Sequence, residues 1–394
     1  MDRFGDKICC NPTVKLKKQE SYPVIDIDKI TPGYKAVRSV ASIEYTGQGG
    51  AKFQDHDVLF ARITPCLENG KMAIADTEGQ NGIGSTELFV FRGIDGVSDT
   101  DYVYYLLCMK HIRQLAANSM TGASGRQRAD LDFIKRIQWD FPDIEMQKKI
   151  ASVLSAYDNL IEVNNKRIKV LEQIAENLYK EWFVRFRFPG HETSGFENGI
   201  PEGWAYRRAD EVIDFNPTLK TGNQTEFTII PMEALSTNSM VLDSGCFVRQ
   251  DSISGRRSQN GDTLLAKITP CLENGKTGFV MGMPENEVLG GSTEFVVMRS
   301  KALTPHYVYC IARSYYFRQT AILSMNGADG RQRVDEDKLK SAKILQPEKT
   351  VLDHFETIVT PIFDGVYQMV QENKNLIQQR DLLLPRLMSG KLEV

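Results

Sequence analysis

Between residues 145 and 187, and again between 350 and 388, apolar side chains recur at alternating steps of four and three. The first series runs Ile150, Leu154, Tyr157, Ile161, Asn164, Ile168, Leu171, Ala175, Leu178 and Trp182; the second runs Phe355, Val359, Ile362, Val366, Met369, Asn373, Leu376, Arg380, Leu383 and Leu387. A seam of this period, kept over several heptads, predicts two long helices that pair as a coiled coil. Glycine and proline are absent from the first stretch and limited to Gly365, Pro361 and Pro385 in the second. Pro361 fits a first helical turn or a kink, so the second helix is expected to start near residue 360.

Elsewhere the period shortens to two. Residues 22–27, 57–63, 71–75 and 88–92 read as strands, with Asn69-Gly70 as a hairpin turn between two of them. A helix is expected over 101–117, capped by Asp99 or Thr100, then a glycine loop over 121–125, then a strand-like stretch to Pro142. The same succession returns later: the Asn274-Gly275 turn, a helix over 305–323, a glycine loop over 326–330 and a strand to Pro347. Residues 188–204, rich in Gly and Pro, read as a linker. The expected plan is a globule at 1–144, a helix at 145–187, the linker at 188–204, a globule at 205–349 and a helix at 350–394. The fold class is α+β: two similar mixed globules separated by two long antiparallel helices, with pseudo-two-fold symmetry.

The return is a duplication. The nine residues ITPCLENGK occupy 63–71 and 268–276, an offset of 205 positions. At the same offset Asn11-Pro12-Thr13 matches Asn216-Pro217-Thr218, and Gly125-Arg126-Gln127-Arg128 matches Gly330-Arg331-Gln332-Arg333. Gly84-Ser85-Thr86-Glu87 returns at Gly291-Ser292-Thr293-Glu294, two residues later than the offset requires, as a loop insertion produces. The period far exceeds the 20–50 residues of a solenoid repeat, so it marks a duplicated domain.

Charge narrows the field without favouring one partner. Residues 1–144 hold 18 Lys and Arg against 19 Asp and Glu, and residues 189–350 hold 18 against 20. Neither copy is basic, which counts against the usual footprint of a nucleic-acid binder and leaves only local clusters. The seven cysteines lack metal-ligand spacing and fit small buried residues in a reducing cytoplasm. No apolar run is long enough for a membrane span, and the first residues lack the apolar stretch of a signal peptide. No glycine-rich phosphate loop, His-Glu-x-x-His zinc motif or methyltransferase motif is present, so no catalytic or metal-ligating residue is assigned.

The candidate chemistry is basic side chains on loops. Lys71 and Lys276, with Arg62 and Lys267 beside them, can meet phosphates from the repeated hairpin; solvated lysines on a structural turn account for them equally well. Arg126, Gln127 and Arg128, and their counterparts Arg331, Gln332 and Arg333, place fork-shaped donors on a glycine loop, where phosphate or base edges are both in reach. Positions that differ between copies suit base reading: Arg249 stands where the first copy has Glu44, and Arg257 where it has Lys52. Unconstrained drift after duplication explains these differences as well.

Four features resemble the specificity subunit of a type I restriction–modification enzyme. They are the globule–helix–globule–helix order; Asp140-Phe141-Pro142 leading through Gln147 and Ile150 into a heptad helix; LYKEWFVRFRFPG at 178–190 followed by Pro201-Glu202-Gly203-Trp204; and LPRLMSGKL at 384–392. The first copy departs from the pattern, lacking a Pro-x-Gly-Trp opening. The resemblance implies that each globule reads half of a bipartite site in double-stranded DNA. It implies that the helices set the gap and dock two methyltransferase subunits, which bring S-adenosylmethionine, and that ATP-dependent restriction subunits can join. The chain itself would hold no cofactor and no catalytic centre. A duplicated protein-binding scaffold and a DNA-binding regulator acting alone remain the competing readings.

An antiparallel seam with Ile150 beside Leu387 sets Leu154 against Leu383, Ile161 against Leu376, Asn164 against Asn373, Ile168 against Met369, Leu171 against Val366 and Leu178 against Val359. It also lays Arg380 on the Tyr157 ring. Facing asparagines would select this register, because sliding by a heptad buries both amides among apolar side chains.

Overall fold

The computed structural model describes residues 1–394 apart from Ser124 and Asp329, which fall in the two expected glycine loops and lie outside the described residues. The chain divides into two compact units, Met1–Val163 with Asn373–Val394, and Asn164–Glu372. The division cuts both long helices instead of falling where they begin. Each piece of helix buries its apolar stripe against the globule of its own unit. In the first unit Ile150, Leu154, Leu384 and Leu387 share one core with Phe4, Phe91 and Tyr105. In the second, Ala175, Trp182, Phe355, Val359, Phe363 and Val366 share one with Tyr307, Tyr309 and Phe317.

The first long helix runs Ile144–Tyr179 and ends in a π-helical turn, Lys180–Val184. The last runs Lys349–Met388. It passes through Pro361, so the expected start near residue 360 is wrong. Pro361 removes one main-chain donor, but Phe355, Val359, Phe363 and Val366 are fully buried along one face and hold the helix on both sides of it. Within the second unit Leu171 packs at Gly365, and the Trp182 and Phe355 rings lie 5.9 Å apart. Within the first unit Asp158 pairs with Arg380, while Ile150 and Leu154 share a core with Leu387. One number falls as the other rises, so the helix segments are antiparallel in each unit. The seam residues Ile150, Leu154, Ile161, Asn164, Ile168, Val359, Val366, Asn373 and Leu387 are buried, and Leu171, Leu178, Met369, Leu376 and Leu383 half-buried. Asn164 Nδ2 donates to Glu372 Oε2 at 2.9 Å. Arg380 pairs with Asp158, one position on from the expected Tyr157 ring, because a buried carboxylate holds a guanidinium more strongly than an aromatic face.

The first globule carries a five-stranded sheet in the order Ile8–Cys10, Leu88–Gly93, Val58–Ala61, Met72–Asp76, Ala36–Arg38. A second sheet orders Ser42–Glu44, Ser21–Ile25, Gly82–Gly84, Ala51–Phe53. The second globule repeats both with four strands each: Ile213–Phe215, Phe295–Ser300, Thr263–Ala266, Thr277–Phe279, and Val248–Gln250, Phe227–Ile230, Leu289–Gly291, Arg256–Ser258. Val58–Ala61 and Met72–Asp76 do form a hairpin. Its connection is the whole stretch 62–71, not a two-residue turn at Asn69-Gly70. Thr64-Pro65 and Thr269-Pro270 are cis in the corresponding loops.

The single helix expected over 101–117 is two helices, Thr100–Cys108 and Lys110–Asn118, capped at the start by the Asp99 carboxylate on the Tyr102 amide. Extended backbone at Met109 breaks them, and the second then buries Ile112 and Ala116. Ser314 breaks the later pair, Pro305–Arg313 and Tyr315–Leu323, and caps the second with its own side chain. Short helices Leu131–Arg136 and Glu336–Lys340, started by Asp130 and Asp335, precede the strand where a continuous strand-like stretch was expected.

Candidate nucleic-acid interface

The repeated segment ITPCLENGK is largely structural. Gly70 and Gly275 have φ of +72° and +79°, which favours glycine, and a side chain there would run into Arg113 or Arg318. Each arginine comes from the second helix of its pair and packs on the loop; Arg318 donates to the Glu273 carbonyl. Lys71 Nζ donates to the Ile27 carbonyl at 2.9 Å, and Lys276 Nζ to the Met232 carbonyl at 3.2 Å. Both ammonium groups are half-buried and tie neighbouring loops together, so the hairpin directs them at the fold instead of outward.

Two other repeated motifs are the halves of one ion pair. Arg128 grips Glu87 with Nε at 2.8 Å from Oε2 and Nη2 at 2.5 Å from Oε1. Arg333 grips Glu294 the same way, at 2.9 and 2.8 Å. The guanidinium beside each glutamate holds its carboxyl below the usual range. The Gln127 and Gln332 carbonyls accept from the Thr64 and Thr269 amides at 3.0 Å, fastening each arginine loop to the hairpin loop. This arrangement spends Arg128 and Arg333 internally and leaves Arg126 and Arg331 exposed beside half-buried Gln127 and Gln332. Pairing a motif's arginine with the other motif's glutamate was open to sequence reasoning, since both persist in both copies; nothing in one copy alone marks them as neighbours.

Arg62 and Lys267 occupy equivalent positions in different surroundings. Lys267 Nζ lies 2.8 Å from Glu336 Oε1, which also accepts from Arg256 Nη2 at 2.7 Å, while Glu336 Oε2 accepts from Asn216 Nδ2 at 2.8 Å. Arg62 lies over the Phe89 ring at 4.6 Å, with Nε buried and without a hydrogen-bond partner. It lines a cleft of about 430 Å³ with Asn11, Phe89, Thr121, Arg128 and the start of the Leu131–Arg136 helix. Asn11 and Asn216 hold equivalent positions in the two copies. Each holds the neighbouring strand, Asn11 through the Val90 amide at 2.8 Å and Asn216 through the Val297 amide at 3.0 Å.

The positions that differ between copies are also partnered. Lys52 Nζ donates to the Tyr45 hydroxyl at 2.6 Å. Arg249 is exposed and lies 3.4 Å from Glu287 and 4.0 Å from Glu226. Arg257 donates to the Leu219 carbonyl. Of the sequence candidates, the structure brings Arg62, Arg126, Gln127 and Arg128 to one end of the first globule, around the loop at 62–71. It does the same for Lys267, Arg331, Gln332 and Arg333 in the second, and sets Lys52, Arg249 and Arg257 on the other sheet of their globules. Cys66 and Cys271 are half-buried, less enclosed than expected. No helix of the described residues is long and apolar enough to cross a membrane.

The two α+β globules are copies of one plan, each packed on its own stretch of an antiparallel helix pair and each bearing an exposed arginine on a glycine loop. Residues 8–173 match the model of the type I restriction modification DNA specificity domain. The match covers the first globule and most of the first long helix; the internal repeat extends the likeness to the second. Over its whole length the chain is 23% identical to the type I restriction enzyme MjaVIII specificity subunit of Methanocaldococcus jannaschii, covering 92% of that protein. It is 25% identical to the MjaIX specificity subunit of the same organism, over 77% of this chain and 72% of the relative. The type I restriction–modification S subunit from M. genitalium shares the fold, with a TM-score of 0.54 at 13% identity over 98% of this chain and 94% of that one.

Proposed function

We propose that this chain is the DNA-specificity subunit of a type I restriction–modification complex. Each globule reads one half of a bipartite duplex site, and the paired helices hold the halves at a set spacing and dock two methyltransferase subunits. Those subunits bring S-adenosylmethionine, restriction subunits can join them, and the assembly works in the cytoplasm. The chain reads and positions but does not catalyse. The observation that carries the proposal is the repeat of one plan: the matched specificity domain and its second copy keep the same arginine loop braced by the same glutamate. Arg126 and Arg331, with Gln127 and Gln332 behind them, are the side chains assigned to contact DNA from those loops.

Methylome sequencing of cells expressing the chain with its methyltransferase tests this. A bipartite adenine-methylation motif is expected to depend on the chain. Arg126→Ala should weaken or relax one half of the motif and Arg331→Ala the other, at on the order of 1–3 kcal/mol for a base contact. Unchanged methylation without the chain removes the proposal. An unchanged motif in both variants removes these loops from the reading surface.

A further inference from the structure

We infer that the cleft of the first globule is a seat for a DNA backbone phosphate, and that the second globule carries its own carboxylate in the same place. The inference rests on the reading of the chain as a DNA-specificity subunit.

The second copy shows what the site binds. There Glu336 is held by Asn216, Lys267 and Arg256, each at 2.7–2.8 Å. The site is an anion cradle occupied from within. The first copy keeps two of the three donors, Asn11 and Arg62, at the offset of 205. It loses the anion, because Leu131 stands where the second copy has Glu336. Arg256 falls opposite Ala51, so the third donor goes with it. What remains is an open cleft of about 430 Å³ with Arg62 on its wall, its Nε without a hydrogen-bond partner among the described residues.

The nearby carboxylates are committed elsewhere: Glu87 lies close enough to feel the Arg62 charge but is gripped by Arg128. Arg128 also lines the cleft, but Glu87 already balances it. Asp130 lines it as well, and its Oδ1 accepts from the Asp132 and Phe133 amides at 2.8 and 3.3 Å, which commits that carboxylate to its helix. Arg62 packs on Phe89, which fixes the plane of its fork. A fixed fork beside an amide suits a tetrahedral oxyanion. The exposed Arg126 stands two residues before Arg128, which lines the cleft, in the same loop.

The test uses the full complex with its methyltransferase subunits and a duplex carrying the bipartite site found by methylome sequencing. Arg62→Leu should weaken binding to cognate and unrelated duplexes alike, by about tenfold, and flatten the salt dependence by about one unit. Leu131→Glu, which restores the internal carboxylate, should do the same. Glu336→Leu in the second globule should steepen the dependence by opening the twin site. A neutral methylphosphonate placed at successive backbone positions should find one position in the first half-site that weakens the wild type and leaves Arg62→Leu unaffected. If the complex binds its site and neither first-globule variant changes affinity or slope, the inference is overturned and the specificity reading stands. If the wild-type complex shows no sequence preference, both fall. If Leu131→Glu does not fold, Arg62→Leu with the methylphosphonate scan decides alone.

Discussion

In the first unit Asp158 is buried on the inner face of its helix. It takes the Arg380 guanidinium from the last helix on one side and the Tyr105 hydroxyl from the globule on the other. At the equivalent places the second unit has Phe363, Ala175 and Cys310. Phe363 packs against Phe279, His306 and Tyr309 with ring centres 4.4–5.4 Å apart. One junction is therefore a buried ion pair and the other an aromatic cluster, on the same backbone plan. Burial opposes the Arg380 charge, and the Asp158 carboxylate more than restores it, so the guanidinium stays more basic than usual. Burial and the same carboxylate push the Tyr105 hydroxyl up. The difference teaches that the fold requires a filled junction but does not dictate its polarity. A polar junction demands its particular partner, since a buried carboxylate without a cation is costly, whereas an aromatic one demands only volume.

The largest effect should come from moving half of one junction into the other. Phe363→Asp places the first unit's acid in the second unit opposite Ala175, with no guanidinium to pair it and with His306, already bonded to Glu356, beside it. The lost ring and the unpaired charge together should cost more than about 5 kcal/mol, seen as early loss of the second unit in urea unfolding. Retained stability would mean that the site is wet.

Next in size is Arg380→Ala, which strands Asp158 and should cost about 3–5 kcal/mol in the first unit. Adding Asp158→Phe gives the first unit the second unit's residues at both places. Most of the loss should return, because the charge is gone and the volume filled. A double variant no better than the single would show that the ion pair does more than fill the junction.

The smallest effect is a dependence on pH in the first unit. Lys35 and His56 both reach Asp101, at 2.6 and 3.3 Å. Burial works against the Asp101 carboxylate, but the bonds from His56 and Lys35 outweigh it and bring the group down to about 2. His56 is raised above its ordinary 6.5 by the bond to Asp101, against some burial. A lowered acid stabilises the fold above its ordinary value of 3.8 and loses that contribution as pH falls toward about 2. A raised base contributes fully below 6.5 and loses its share as pH rises through its folded value. Amide protection in the Thr100–Cys108 helix should therefore fall on both sides of that window. His56→Ala should abolish the upper limb and shrink the lower one, since Lys35 then holds the Asp101 carboxylate down by itself. The equivalents of Asp101 and His56 in the second unit are His306 and Gly261, so the Lys–Asp–His group is particular to the first unit.

Much of this architecture was legible in the chain. The heptad stripes of Ile150, Leu154, Val359 and Val366 announced two paired helices, and the exact repeats announced two globules. The antiparallel register followed from matching the two seams, because apolar spacing is a local property that survives folding. The site was less legible. Lys71 and Lys276 read equally as phosphate contacts or as solvated lysines on a turn, because a lysine after Asn-Gly looks solvent-facing either way. Only the fold shows the carbonyls of Ile27 and Met232 within their reach. Arg128 and Arg333 read as free forks because Glu87 and Glu294 are distant in sequence.

By itself, then, the sequence determined the class of each element, the duplication and the helix seam, all of which depend on periodicity or on identity at a fixed offset. Tertiary structure alone decided which cations are free. It paired Arg128 with Glu87 and Lys267 with Glu336, and left Arg62 Nε without a hydrogen-bond partner among the described residues. Whether a charge is available depends on which opposite charge lies within about 4 Å, and that distance is set by packing between segments far apart in the chain.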